Sequence, residues 1–160
     1  MENFQLKSLT PAQREQLLDV PLYITIYIGV ADGTLDHKEI EWAEHVADFR
    51  AQHEDSLLAR YWMDVDARFR KRFFEIQTAM GIEPDKPANG TGVMQAVEAW
   101  LKEIPSLYPL LPEGFDIELY ESWRSFARHV ARASGGLLGF GAITREEERA
   151  ILTIESILQP

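Results

Sequence analysis

The chain has 160 residues, 46% of them apolar and 11% aromatic, which is enough for one sizeable core but short for two. Its 26 acidic residues outnumber 16 basic ones, and the formal net charge of -10 disfavours nucleic acid and anionic membranes as partners while suiting cations or basic proteins. The absence of cysteine excludes a disulfide framework, a zinc ribbon and a thiol nucleophile. We therefore expect a single domain over residues 1–160.

The amino-terminal segment MENFQLKSLT lacks the charged and then apolar pattern of a signal peptide. The longest apolar run, from Val20 to Ala31, is well below the ~20 residues that a membrane span needs. The sequence thus predicts a soluble, cytoplasmic protein without a transmembrane segment.

The first predicted helix begins at a cap formed by Thr10, with Pro11 at its first position and Gln13 closing a capping box, and it runs to about Asp19. Pro21 then opens a new segment, LYITIYIGV, whose alternating isoleucines favour a strand. No other part of the chain offers a partner strand, and a lone strand would leave its backbone groups unpaired. We therefore predict a buried helix there, against local propensity.

Apolar residues at helical spacing predict five further helices, so the expected fold is an all-α bundle of about seven. The second of these five has the clearest pattern, because its apolar residues step by three or four without a gap and Gly81 is placed to end it. The segment 81–92 is expected to be an exposed connection, and the proline-rich segment 105–115 an irregular link. The helices span about 36–51 (with Ile40, Trp42, Ala43, Val46, Ala47 and Phe49 as its apolar stripe), 55–80 (Leu58, Trp62, Val65, Phe69, Phe73, Ile76 and Met80), 93–103, 117–133 and 145–158.

The approach to the last helix, GLLGFGAITREEE, echoes IGVADGTLDHKEI at a spacing of 108 residues. Gly33 then corresponds to Gly141, and Glu39 to Glu147. This echo predicts two pseudo-repeated helix-turn-helix units on either side of the long middle helices.

The turn ADGTLDHKE, residues 31–39, is mostly explained by helix capping. Asp36 as the N-cap with Glu39 three residues later makes a capping box, Thr144 with Glu147 repeats it, and Gly33 supplies a positive φ. Capping leaves Asp32 without a structural reason.

The same turn also matches the second half of an EF-hand calcium loop, from its fifth to its twelfth position. Positions one and three would be Ile28 and Val30, which have no side-chain oxygen, so a complete EF-hand site is excluded. A weaker site would gather Asp32, Asp36 and Glu39 with a carboxylate from the second unit, Glu147. A divalent cation is accordingly the one candidate cofactor, and a cation sensor is the alternative function.

The glycine-aspartate turn with its downstream glutamate resembles the tellurite-resistance TerB-like family. The residues that carry this resemblance are Tyr27, Ala31, Asp32, Gly33, Leu35 and Glu39, with Gly141, Ile143 and Glu147 in the second unit. It implies a compact helical bundle with acidic clusters at these turns and a role in stress response, metal sensing or membrane-associated complexes. The chain departs from the family at Phe140 and Thr144, where acidic residues are expected, and in a long middle insertion at 55–112.

Other motifs offer weaker candidates. His37 and His45, with Glu41 between them, share a helical face with a geometry that suits a divalent metal, although neither HExxH nor a pair of ExxH motifs occurs. Nor does any serine have the context of a catalytic triad, so we predict a non-enzymatic interaction or stress-response module.

Two further clusters are candidate binding surfaces. Arg68, Arg70, Lys71 and Arg72 are dense, but Asp64 and Asp66 stand four residues before Arg68 and Arg70 and predict helical ion pairs. The glycine-rich segment 134–141 lacks the lysine of a phosphate-binding loop, and its apolar side chains are a candidate docking site for another protein or a second copy of this chain. Those side chains are Leu137, Leu138 and Phe140.

Overall fold

Helices are the only regular elements in the part of the chain that the computed structural model describes, which is residues 2–33, 37–51, 56–83, 90–134 and 143–160. Of residues 37–39 and 134 only the backbone is described. The elements are α1 (Pro11–Ala31), α2 (His37–Ala51), α3 (Leu57–Ala79), α4 (Gly90–Leu101), a 3-10 helix (Ile104–Leu110), α5 (Phe115–Ser134) and α6 (Arg145–Leu158). The predicted all-α class is confirmed.

Helix α1 is the centre of the bundle. It contacts each of the other five α-helices and the 3-10 helix, and its residues 17–30 are buried without interruption. A helix that is surrounded on all sides needs apolar residues on all sides, which explains why this segment lacks the one-sided pattern of a surface helix. The helical assignment of LYITIYIGV is therefore confirmed.

The break predicted at Pro21 is wrong, because α1 continues through it and joins two predicted helices into one. Proline has no N–H, so the carbonyl oxygen of Leu17, four residues earlier, loses its partner within the helix. The hydroxyl of Tyr61 on α3 donates to that oxygen at 2.7 Å and replaces the missing bond. Tyr61 in turn accepts from Trp123 Nε1 at 2.9 Å, which ties α1, α3 and α5 together.

Several other boundaries follow the sequence closely. The capping box at Thr10 and the N-cap at Thr144 are present, Gly81 ends α3 with a φ of 70°, and Gly33 has a φ of 97°. The segment expected to be an irregular link instead forms the 3-10 helix, so the described part holds six α-helices and one 3-10 helix in place of about seven helices. The predicted repeat depends on turns that fall largely at 34–36 and 135–142, outside the described residues.

Buried apolar side chains from every helix form a single cluster around α1. The stripe predicted on α3 is confirmed, with Trp62, Val65, Phe69, Phe73 and Ile76 buried and its two ends half-buried. Within the described residues, no helix combines the length and apolar character that crossing a membrane requires.

Candidate functional site

The structure describes the side chains of two of the four predicted metal ligands, Asp32 and Glu147. Asp32 is exposed and caps the carboxyl end of α1, whereas Glu147 has no exposed surface in the first turn of α6. The hydroxyl of Thr144 donates to Glu147 Oε1 at 3.0 Å, and the Glu147 N–H donates to Thr144 Oγ1 at 3.2 Å. Asp36 and the side chain of Glu39 lie outside the described part, within which no group of three or more His, Asp or Glu side chains could hold a metal.

The predicted docking residues Leu137, Leu138 and Phe140 also lie outside the described residues, as does the side chain of His37. His45 is described, and its exposed ring packs against Trp42 with the ring centroids 5.6 Å apart.

The ion pairs predicted within α3 are wrong, because its arginines reach other helices. Arg68 and Arg72 both bind Asp19 of α1, at 2.9 and 2.8 Å, and Arg70 binds Glu44 of α2 at 2.7 Å. Asp19 is 3% exposed, and burial raises its pKa while the two arginines oppose that rise. Three of the four basic side chains of the cluster, those of the arginines, therefore fasten α3 to α1 and α2.

Asp64 fastens the amino-terminal segment instead of pairing within α3. Its carboxylate accepts the N–H of Asn3 at 2.9 Å and that of Phe4 at 2.7 Å, and it also binds Arg14 at 2.8 Å. Burial opposes ionisation here, but these donors outweigh it and lower the pKa of Asp64.

Two aromatic side chains of α2 are exposed where the sequence predicted burial. Trp42 is 42% exposed and Phe49 is 58% exposed, whereas Ala43, Val46 and Ala47 face the core. Small side chains on the inner face bring α2 close to its neighbours and leave the large rings at its flank. The ring of Trp42 is nevertheless held in place, because its Nε1 donates to the carbonyl of His129 on α5 at 3.1 Å.

Arg50, next to Phe49, is oriented by contacts with α3 and α5. Its Cζ lies 5.3 Å from the ring centroid of Trp62, which is a cation–π distance. Its Nη1 donates to Ser122 Oγ at 3.3 Å and its Nη2 to Ser125 Oγ at 2.8 Å. Trp62 Nε1 donates to the same Ser122 oxygen at 2.8 Å, so the guanidinium has a fixed place above the indole ring.

The charge of Arg50 has no counter-ion within the described part of the chain. Arg14, Arg68 and Arg72 each pair with a buried aspartate, but no carboxylate pairs with Arg50, and its buried Nε has no hydrogen-bond acceptor there. Burial lowers the pKa of Arg50, although a guanidinium remains cationic at neutral pH. This half-buried cation is the most unusual charge among the described residues.

Two cavities open beside Arg50, and both have Phe49 and Arg50 as walls. The Arg50 pocket has a volume of about 380 Å³, and the His129 pocket has about 320 Å³. Together they form what we name the α2–α5 groove. The Arg50 pocket is lined by Phe49, Arg50, Ser56, Leu58, Ala59, Trp62 and Ser122, and the His129 pocket by Trp42, His45, Val46, Phe49, Arg50 and His129.

The hydroxyl groups of Ser122 and Ser125 at the groove are engaged in hydrogen bonds with neighbouring side chains. Ser122 has no histidine or carboxylate partner within the described residues, and its oxygen accepts hydrogen bonds from Trp62 and Arg50. His129 lies 3.5 Å from Ser125 Oγ, but its Nδ1 is only 2.7 Å from the Ser125 carbonyl and is engaged there. A serine nucleophile is activated by a base that accepts its proton, and the described residues place no such base at Ser122.

Sequence reasoning missed Arg50 altogether. Its signal in the sequence is weak, because Ala47 and Val46 stand three and four positions before it, so no acid precedes it at helical spacing, but Glu54 follows it four positions later.

No protein-family profile matches the chain, and no curated protein or solved structure shows significant similarity to it.

Proposed function

We propose that this protein is a non-enzymatic interaction module of the kind that the TerB-like resemblance implies, and that it docks another protein over the exposed aromatic side chains of α2. The observation that carries the proposal is the exposure of Trp42 and Phe49 at the edge of the α2–α5 groove. Large aromatic side chains that stand beside a cavity supply most of the binding energy in many protein interfaces.

The charge of the chain indicates the character of the partner. With a net charge of -10, the protein attracts basic surfaces at long range and repels acidic ones. Glu41, next to Trp42, is exposed on the same helix and adds a local negative charge. We therefore take the partner to be a protein that presents an apolar side chain surrounded by basic groups.

Affinity capture with matched variants tests this proposal. The double variant Trp42→Ser/Phe49→Ser should lose the partner, while Phe74→Ser should retain it, because Phe74 is 69% exposed on α3 and does not line the groove. The captured partner should be basic and should be released by salt, since long-range attraction is screened.

Two results would contradict the proposal. One is a partner list that is unchanged in the double variant, which would remove the α2 surface from consideration. The other is self-association of the chain, seen by sedimentation, that the double variant abolishes; the occupant would then be a second copy of this protein.

A further inference from the structure

The Arg50 pocket combines apolar walls with one cation that has no counter-ion among the described residues. Taking a guanidinium out of water is costly unless an anion and hydrogen-bond acceptors replace the lost solvation. The described residues give Arg50 two serine hydroxyl oxygens and an indole face, but no anion. An anionic group entering the pocket would supply the counter-ion that the described residues lack.

The donors beside the cavity suit a carboxylate. Each Nη nitrogen of Arg50 carries two hydrogens and donates one to a serine, which leaves a second on each. The Ser122 oxygen accepts from both Trp62 and Arg50, so its own hydrogen is directed elsewhere and meets no acceptor within the described residues. Paired N–H donors match the two oxygens of a carboxylate.

The remaining walls define the body of the ligand. Phe49, Leu58, Ala59 and Trp62 present carbon surface, and a volume of about 380 Å³ lies at the lower end of the range for small-molecule sites. Arg50 is the only charged residue in the lining that the structure describes. One cation in a chain of net charge -10 favours a ligand with a single negative charge over a phosphate or a polyanion.

We infer that the Arg50 pocket binds a small organic monocarboxylate with an apolar body, its carboxylate on the guanidinium and its body against Trp62 and Phe49. This ligand site goes beyond the docking of a protein partner on the outer rings of α2, and either one can exist without the other.

The direct experiment is titration of the full chain with 3-phenylpropionate, followed by calorimetry and by the indole N–H signal of Trp62 in a proton–nitrogen spectrum. We expect saturable binding that shifts the Trp62 signal. The neutral 3-phenylpropanamide has the same shape and should bind about tenfold or more weakly, because it lacks the charge that pairs with Arg50.

Variants locate the site. Arg50→Met should abolish the preference for the acid over the amide, and Arg50→Lys should weaken it, because an ammonium lacks the planar fork of donors. Arg50→Met removes a half-buried unpaired charge, so its melting temperature should not fall, which separates lost binding from lost folding. Phe74→Ser should bind like the unchanged chain. The Trp42→Ser/Phe49→Ser variant should bind the acid more weakly, because Phe49 lines the pocket, but it should keep the preference for the acid over the amide.

Four outcomes would overturn the inference. They are equal binding of acid and amide, unchanged preference in Arg50→Met, binding seen only after Glu54 and Asp55, the acids four and five positions after Arg50, are changed to Gln and Asn, and tighter binding of the peptide acetyl-Gly-Gly-Phe than of the free acid. The third would show that the chain supplies its own carboxylate, and the fourth that the ligand is the end of a polypeptide. If the capture experiment finds no protein partner, the expected results of the carboxylate titration stay the same, so the two proposals fail independently.

Discussion

The surroundings of Asp66 on α3 disfavour the charged form of its carboxyl group. Burial, the charges of Asp48 and Glu44, and a hydrogen bond with Asp48 together raise the pKa of Asp66. A carboxyl group whose pKa is higher in the folded protein binds more protons there than in the unfolded chain. The stability of the protein therefore falls as the pH rises from 3.8, the ordinary pKa of Asp66, through its raised value.

Asp66→Asn should consequently raise the free energy of unfolding at pH 7 by about 0.5 kcal/mol, the scale of a partly exposed charge pair. The gain should shrink towards pH 4, because the raised pKa of Asp66 makes the folded protein take up a proton there more readily as the pH falls. Urea unfolding at both pH values measures this difference, with the exposed Glu113→Gln as a control that should shift neither value. A larger gain at pH 4 than at pH 7 would show that the repulsion is not the cause.

Contacts of single charged residues were the hardest features to predict from the sequence. The spacing of Asp64 and Asp66 from Arg68 and Arg70 predicted pairs within α3, yet each of those arginines found a carboxylate on another helix. Arg50 carried no motif, and its surroundings, which include no counter-ion among the described residues, depend on which side chains α3 and α5 bring to it. Local spacing specifies a helical face, but the partners on that face are set by packing.

At the scale of elements, α1 continues through Pro21 because a residue distant in sequence supplies the hydrogen bond that the proline cannot donate. The Leu17 carbonyl accepts from Tyr61, which is 44 residues away in sequence. The residues around Pro21 do not indicate this long-range hydrogen bond. For that reason the sequence alone predicts a break in the helix at Pro21. By contrast, the caps of α1 and α6 and the stripe of α3 use only residues within or next to the same helix, and all of them were predicted.

Tyr61→Phe should lower the free energy of unfolding by about 3 kcal/mol, because it leaves both the Leu17 carbonyl and the Trp123 N–H buried without a partner. In a Pro21→Ala background the loss should be smaller by about 1 kcal/mol, since an alanine at that position restores the N–H that the Leu17 carbonyl lacks. Urea unfolding of the four proteins gives this coupling as a double-mutant cycle. Equal losses in both backgrounds would mean that Tyr61 does not substitute for the missing N–H.

At the scale of the whole molecule, the cation-sensor hypothesis can be tested through stability. Glu147 has no exposed surface and already accepts the Thr144 hydroxyl, so three carboxylates at most would remain for a metal. Three carboxylates reach six oxygens, the lower limit of the six to eight that calcium prefers, only if each of them binds through both of its oxygens. A metal that binds the native state and not the unfolded chain must raise the melting temperature. We expect no such rise with millimolar calcium, magnesium, manganese or zinc.

An upward shift with one of these metals would revive the sensor hypothesis, and Asp36→Asn would then test the predicted ligand set. Removal of the shift by that substitution would assign the metal to the turn at 31–39. A shift that survives it would place the metal elsewhere.

The burial of residues 17–30 of α1 on all sides has a further consequence, for the chain before it folds. Leu22 to Val30 contribute to the core on every side once the bundle has formed, yet the same nine residues alternate like a strand and carry no charge. Short uncharged segments rich in β-branched and aromatic residues are those that stack into intermolecular sheets when exposed. In the folded protein this segment is covered by the helices that pack against α1, so until they have assembled, the segment that stabilises the core is an aggregation hazard during synthesis and refolding.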